Sequence, residues 1–313
     1  MGDRIAFVDL GSNAARFLLA DIASGSHVRI LREERVQTRL GAGPPGALSR
    51  AAIDATVSAV HRFLASVRNG HTNGHRPRVL AFATAAVRDA ENRERLLGPL
   101  RRQEGVHVTV LSARDEARLG ALAACRSFDL RNGLVMDLGG GSLQLTRIRA
   151  RQVVSISSLP LGAVRLTRRF LAHDPPRPRE LRALRQAVRD ELAGRLPPAG
   201  RGEAIVGLGG TVRALASVHL GRARRRRDQR HGLLLRQSDV IAVRERLEPL
   251  TPRQRRRVHG LKAERADIVL PGMIVVEDVM LLGGYQTLKV CIRGVRDGLL
   301  LREMERSRER GET

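Results

Sequence analysis

The chain has 313 residues, enough for two domains each with its own apolar core. Hydrophobic residues make up 42% and aromatics only 2%, which suits a globular fold but excludes single-strand nucleic-acid modules, since those stack bases on Phe, Tyr and Trp. The formal charge of +24 favours polyanionic partners. Lys262 and Lys289 are the only lysines, so part of that charge is an Arg-for-Lys bias of composition; guanidinium is also the better group for bidentate contact with phosphate.

In chain order, residues 5–8 read as a buried strand, with strands at 16–22 and 28–32 completing a meander. No charged-then-apolar leader precedes the first strand, and no apolar run reaches the roughly 18 residues a membrane span needs. Ser49 reads as the N-cap of a helix over 50–67, whose apolar face carries Ile53, Val57, Val60 and Leu64. Residues 69–77 are a loop by composition, followed by a strand at 79–83, a helix at 91–100, a strand at 106–111 and a helix at 114–126. Cys125 and Cys291 show no CxxC spacing, which predicts no disulfide framework and fits a reducing cytoplasm, the expected location.

From Leu134 the pattern restarts: strands at 134–136, 143–148 and 153–157, then helices at 164–171 and 178–192. A strand at 204–206 enters Gly207-Leu208-Gly209-Gly210-Thr211, and a helix follows over 212–218. Helices are predicted at 236–248, 252–258, 263–282 and 298–308, with a strand at 288–290. Both halves thus share one scheme of strand, Asp, Gly-rich turn, two strands and helices. The first turn is Asp9-Leu10-Gly11-Ser12-Asn13; the second is Asp137-Leu138-Gly139-Gly140-Gly141-Ser142. An internal duplication is expected, with a cleft between the copies to hold a phosphate ligand.

Such turns aim backbone N–H groups one way and let an anion approach the main chain closely, since glycine carries no side chain. The adjoining Asp can hold Mg²⁺, a hard cation that takes carboxylate oxygens and keeps phosphate oxygens as co-ligands. A single Asp-x-Gly hairpin is common and would mean little; two in register together with 207–211 point to phosphate binding.

These residues carry a resemblance. The chain resembles the exopolyphosphatase/guanosine-pentaphosphate phosphatase (Ppx/GppA) family of the actin–Hsp70–sugar-kinase superfamily, nearly end to end. The matching blocks are residues 9–13 with Arg16, Ala83-Thr84-Ala85-Ala86-Val87-Arg88-Asp89-Ala90-Glu91-Asn92, 111–119, 137–145, 159–166, 207–213, and the stretch from Glu264-Arg265-Ala266-Asp267 to Arg296-Asp297-Gly298-Leu299-Leu300.

The resemblance implies an α/β fold of two duplicated RNase H-like domains with an interdomain cleft. The domains would span 1–125 and 126–297, and the helix at 298–310 would fold back on the first. It implies a phosphohydrolase that removes terminal phosphate from inorganic polyphosphate or guanosine pentaphosphate (pppGpp). Gly11, Ser12, Asn13, Gly139, Gly140, Gly141, Ser142, Gly209, Gly210 and Thr211 would bind phosphate. Arg88 would clamp the terminal phosphoryl group, Glu116 would be general base toward water, and Asp137 and Asp9 would hold Mg²⁺ or another divalent cation. Taken without the resemblance, Glu116 would read as a solvated helix carboxylate and Arg88 as a surface charge.

The pattern departs from the family's at three places. The family's second turn ends Ser-Thr-Glu, whereas Leu143 and Gln144 follow Ser142; Ala85 and Ala113 replace a usual Ser and Gly. An amide cannot take a proton at neutral pH and is a poorer Mg²⁺ ligand, so the alternative reading is a catalytically weakened sensor that binds polyphosphate or the alarmone. An ATP-using member of the superfamily is disfavoured by the blocks around Arg88 and Glu116, and no P-loop pattern is present. Neither a membrane nor a specific nucleic acid is an expected partner; a homodimer is. Two further features weigh less: a basic run at Arg222 and residues 224–227, read as a solvated loop or a polyphosphate guide, and His71 with His75, whose spacing lacks the partners of a metal site.

Overall fold

The computed structural model describes residues 3–22, 28–68, 77–221 and 227–311; most of the basic run and both His71 and His75 lie outside them. The chain divides into two compact units, residues 1–113 with 299–313, and residues 114–298.

The first unit opens with the meander β1 (Asp3–Leu10), β2 (Ala15–Ile22) and β3 (Val28–Val36). Helix α1 (Arg50–Arg68), strand β4 (Arg78–Ala83), the short α2 (Ala85–Arg88), α3 (Glu94–Glu104) and β5 (Val108–Val110) follow. The sheet order is β3-β2-β1-β4-β5, antiparallel among the first three strands and parallel from β1 onward. The core lies between this sheet and α1, where Phe17 stacks on Phe63. Helix α3 starts three residues later than its periodicity predicts. Asn92 accepts from the Leu48 N–H and donates to the Leu48 carbonyl, which holds that segment as a clasp and delays the helix.

The second unit begins with α4 (Ala113–Phe128) and repeats the plan with β6 (Gly133–Leu138), β7 (Leu143–Arg149) and β8 (Gln152–Leu159). It continues through α5 (Ala163–Phe170), α6 (Pro178–Leu192), β9 (Ile205–Gly209), α7 (Gly210–Leu220), β10 (Leu234–Arg236), α8 (Gln237–Leu247), α9 (Pro252–Arg255), α10 (Val269–Gly283) and β11 (Thr287–Val290). The order is β10-β11-β9-β6-β7-β8. Apart from the added edge strand β10, this is the first sheet's order, so the expected duplication and α/β class hold at the level of topology.

One predicted helix is broken. Residues 263–282 form a 3₁₀ turn (Ala263–Arg265) and then α10. The Ala266 carbonyl, which a continuous helix would give to residue 270, accepts instead from the fully buried Arg255 guanidinium. Helix α10 is buried nearly all round, and its Glu277 and Asp278 pair with Arg185 while Glu277 also accepts from Arg244. The last helix, α11 (Val295–Gly311), presents buried Glu303 to Arg78 on β4 at 2.5 Å and to Arg306 at 2.9 Å. Those guanidinium partners hold the Glu303 carboxyl below its ordinary range although burial opposes the shift.

Candidate functional site

Each Gly-rich turn leaves the end of its unit's first strand and doubles back into the second. In the first turn four carbonyls are taken by neighbouring N–H groups. Leu10 O accepts from Thr84 N–H (3.4 Å), Ser12 O from Gly41 (2.7 Å), Asn13 O from Arg39 (3.1 Å) and Ala14 O from Gly11 (3.2 Å). The N–H groups of Ser12, Asn13 and Ala14 take no acceptor among the described residues. Ser12 and Asn13 are buried, and the Asn13 Nδ2 lacks a partner among the described residues. Asp9, 7% exposed, accepts from Arg16 across the β1–β2 ladder.

The second turn reaches the same polarity by another route. The N-terminus of α5 supplies the donors: Ala163 N–H to Gly139 O (3.1 Å), and Val164 and Arg165 N–H to Gly140 O (2.9 and 3.1 Å). Arg165 Nε donates to Gly141 O at 2.8 Å, and Gly139 N–H closes the hairpin onto Ser142 O at 3.0 Å. The amides of Gly140, Gly141 and Ser142 take no acceptor among the described residues. A β-carbon at Gly162 would overlap the carbonyl carbons of Gly140 and Gly141, so glycine is required there for α5 to back the turn. The second turn therefore presents donors only, and in the first the Gly11 carbonyl is the one acceptor of residues 10–14 without a donor among the described residues.

One carboxylate of the second unit, Asp137, adjoins that turn. Asp137 ends β6 in register with Gln144 on β7. A Cβ built at Gly120 would lie 3.2 Å from Asp137 Oδ2, and one built at Gly209 would lie 3.2 Å from Oδ1. The Asp137 carboxylate thus occupies a slot between α4 and the start of α7 that two glycines keep open. Glu116 sits one turn before Gly120 on the same face of α4 and is only 7% exposed, not the solvated helix carboxylate its local sequence suggests. Gln144 is 1% exposed and donates through Nε2 to Ser142 Oγ at 2.7 Å.

Gly209 has φ +94°, a conformation open to glycine, and serves as N-cap of α7, so the amides of Gly210 and Thr211 begin that helix. The Thr211 side chain is spent on packing: a Cβ at Gly272 of α10 would fall 2.5 Å from its hydroxyl oxygen. Arg265, which the sequence reading left without a role, lies with its guanidinium directly over Gly210. Its sequence signal was only membership of the 264–267 block; the broken helix brings it to the N-terminus of α7. In the first unit, Arg88 at the end of α2 donates to the Leu111 carbonyl at 3.1 Å and lies 3.5 Å from Asp89.

A profile of the Ppx/GppA phosphatase family matches residues 18–307. The chain is 31% identical to exopolyphosphatase 1 of Mycobacterium leprae over 310 residues, covering 96% of this chain and 90% of that protein. It is 30% identical to exopolyphosphatase 2 of Mycobacterium tuberculosis over 324 residues, covering 95% and 98% respectively. Among solved structures, the Aquifex aeolicus member of the Ppx/GppA family superposes with a TM-score of 0.80 at 27% identity over 98% of this chain and 99% of the other. An exopolyphosphatase from Cytophaga hutchinsonii shares the fold with a TM-score of 0.85 at 23% identity, covering 97% and 98%.

Proposed function

Because the chain belongs to the Ppx/GppA phosphatase family, we propose that it is a hydrolase that removes the terminal phosphate from inorganic polyphosphate or from pppGpp. The observation that supports this reading most directly is the donor-rich polarity of both turns. All four carbonyls of the second turn and all but that of Gly11 in the first are engaged, while successive amides are left to receive an anion.

On this reading Gly11, Ser12, Asn13, Gly139, Gly140, Gly141 and Ser142 take phosphate oxygens. Gly209, Gly210 and Thr211 contribute the positive end of α7. Arg88 clamps the terminal group. Glu116 accepts a proton from water as the water oxygen bonds to phosphorus, and the bridging oxygen leaves with the shortened chain. Positioning and fixed charge carry most of such a transfer.

Among the described residues no group of three or more His, Cys, Asp or Glu could hold a metal alone. That suits Mg²⁺, which takes one or two carboxylates and completes its shell with water and phosphate oxygens. Asp137, held beside the second turn by the open slot at Gly120 and Gly209, has the donor chemistry to hold it, with Asp9 the second candidate. Bound, the ion would neutralise charge on the phosphate oxygens. No described helix is long and apolar enough to cross a membrane; a cytoplasmic homodimer is part of the proposal.

The sensor reading has one observation in its favour: buried Gln144 is bonded to Ser142 where the family carries a carboxylate. Phosphate release from polyphosphate and pppGpp with Mg²⁺ separates the two, run beside Glu116→Gln and Gln144→Glu. The hydrolase reading expects metal-dependent release, cut by about 10²–10⁴ in E116Q. Absence of release from either substrate refutes it, and calorimetric binding without release would establish the sensor. An unchanged rate in Q144E removes the idea that the amide weakens the site.

A further inference from the structure

Two polar atoms near the first turn are buried without a partner among the described residues: Asn13 Nδ2 and Thr38 Oγ1, on residues 8% and 4% exposed. They come from segments held together, because the residue after Thr38, Arg39, donates its N–H to the Asn13 carbonyl, and Gly41 donates to the Ser12 carbonyl. The two atoms are not bonded to each other. Arg39 is held at φ 53°, a left-handed conformation that costs a non-glycine residue free energy and fixes the path of the 38–41 segment against the turn.

Orphan buried polar groups are rare in folded proteins, and each one is a statement about what else occupies the place. Asn13 Nδ2 can only donate. The Thr38 hydroxyl can donate too, and the neighbouring amides of Ser12, Asn13 and Ala14 are donors without acceptors. These five groups can all donate, and of the carbonyls at 10–14 four are engaged, so the place suits an anionic oxygen better than a cation.

We infer that Thr38 is a substrate-binding residue of the first turn, its hydroxyl donating together with Asn13 Nδ2 to a non-bridging oxygen of a bound phosphoryl group. This rests on the reading that the turn binds phosphate. Neither Thr38 nor the 38–41 segment belongs to the turn motif. The side chain reaches the ligand because the chain after β3 returns beneath the turn and caps its carbonyls.

The inference makes an opposed pair of demands on one substitution. Thr38→Val keeps the shape and deletes the hydroxyl. If the hydroxyl serves only the ligand, its removal relieves an unsatisfied group in the free protein and leaves the melting temperature unchanged or higher. Affinity for tripolyphosphate should fall by about tenfold, the worth of a hydrogen bond to a charged group. Thr38→Ser, which keeps the hydroxyl, should stay within about threefold of wild type in affinity.

The experiment is calorimetric titration of the full chain with tripolyphosphate in EDTA, so that metal-dependent turnover is stopped, beside thermal melts of the three proteins. Binding by T38V within twofold of wild type overturns the inference while leaving the phosphate reading intact; an ordered water would then satisfy both atoms. A melting temperature lowered in T38V but not in T38S also overturns it, because the hydroxyl would then have a partner in the free protein. No tripolyphosphate binding by wild type, either in EDTA or with Ca²⁺ or Mg²⁺ supplied, removes the parent reading and this one with it.

Discussion

Gly120→Ala adds one methyl group at the face of α4 that packs on Asp137. The new carbon would lie 3.2 Å from Asp137 Oδ2, 3.7 Å from Leu208 Cδ2 and 3.8 Å from Asp137 Cβ. Only the first contact is tight, so the carboxylate must yield by a few tenths of an ångström, away from α4 and within the slot that Gly209, lacking a side chain, leaves open. Turning Asp137 away from its rotamer costs about 0.5–1.5 kcal/mol. Replacing glycine by alanine inside a helix contributes about 1 kcal/mol in the other direction. The two terms nearly cancel, so the thermal midpoint should move by no more than a few degrees. Function has no such compensation. If Asp137 holds the metal, displacing it lowers metal affinity by about 10–100-fold. Phosphate release measured against Mg²⁺ concentration should show the half-saturating concentration raised by that factor, with the melting curve nearly unchanged. A Mg²⁺ dependence within twofold of wild type would falsify the assignment of the Gly120–Gly209 slot as the place that positions the metal-holding carboxylate.

Two other outcomes follow from the same geometry. Gly162→Ala would drive a methyl group into the backbone of Gly140 and Gly141, moving the second turn while leaving the first untouched; a shift of the order of 1 Å at such a site lowers kcat/KM by about 10²-fold, and a loss below threefold would mean the second turn does not grip substrate. Glu180 closes the start of α6, pairing with His173 Nδ1 and accepting from the N–H groups of Arg177 and Ala172, which together lower its carboxyl from 4.5 to about 2. A carboxyl depressed by folding contributes stability that is complete above its unfolded value and is lost as pH falls toward the folded one. The wild type should therefore exceed Glu180→Gln in melting temperature near neutrality, and that margin should shrink between pH 4.5 and about 2; a pH-independent margin would show that its carboxylate charge is not what holds the cap.

Much of this protein is written locally. The continuous apolar runs at 5–8 and 134–136, the Asp and glycines that follow, and the 3.6-residue apolar stripe of α1 are short-range signals for strands, turns and a helix. Their recurrence in one order disclosed the duplication, and the Gln144 departure needed only the sequence.

What tertiary structure decided is which polar groups are spent and which are left. The carbonyls of the first turn are taken by Arg39, Gly41 and Thr84, and those of the second by residues 163–165, partners whose distance along the chain no local pattern encodes. The same holds for the burial of Glu116, for the break between Arg265 and Val269 forced by Arg255, and for the unpaired hydroxyl of Thr38. Periodicity and turn chemistry act through neighbouring dihedrals, so a sequence carries them openly. Donor and acceptor pairing between remote segments depends on how sheets and helices pack. A binding surface made of leftover donors becomes visible only after that packing is complete.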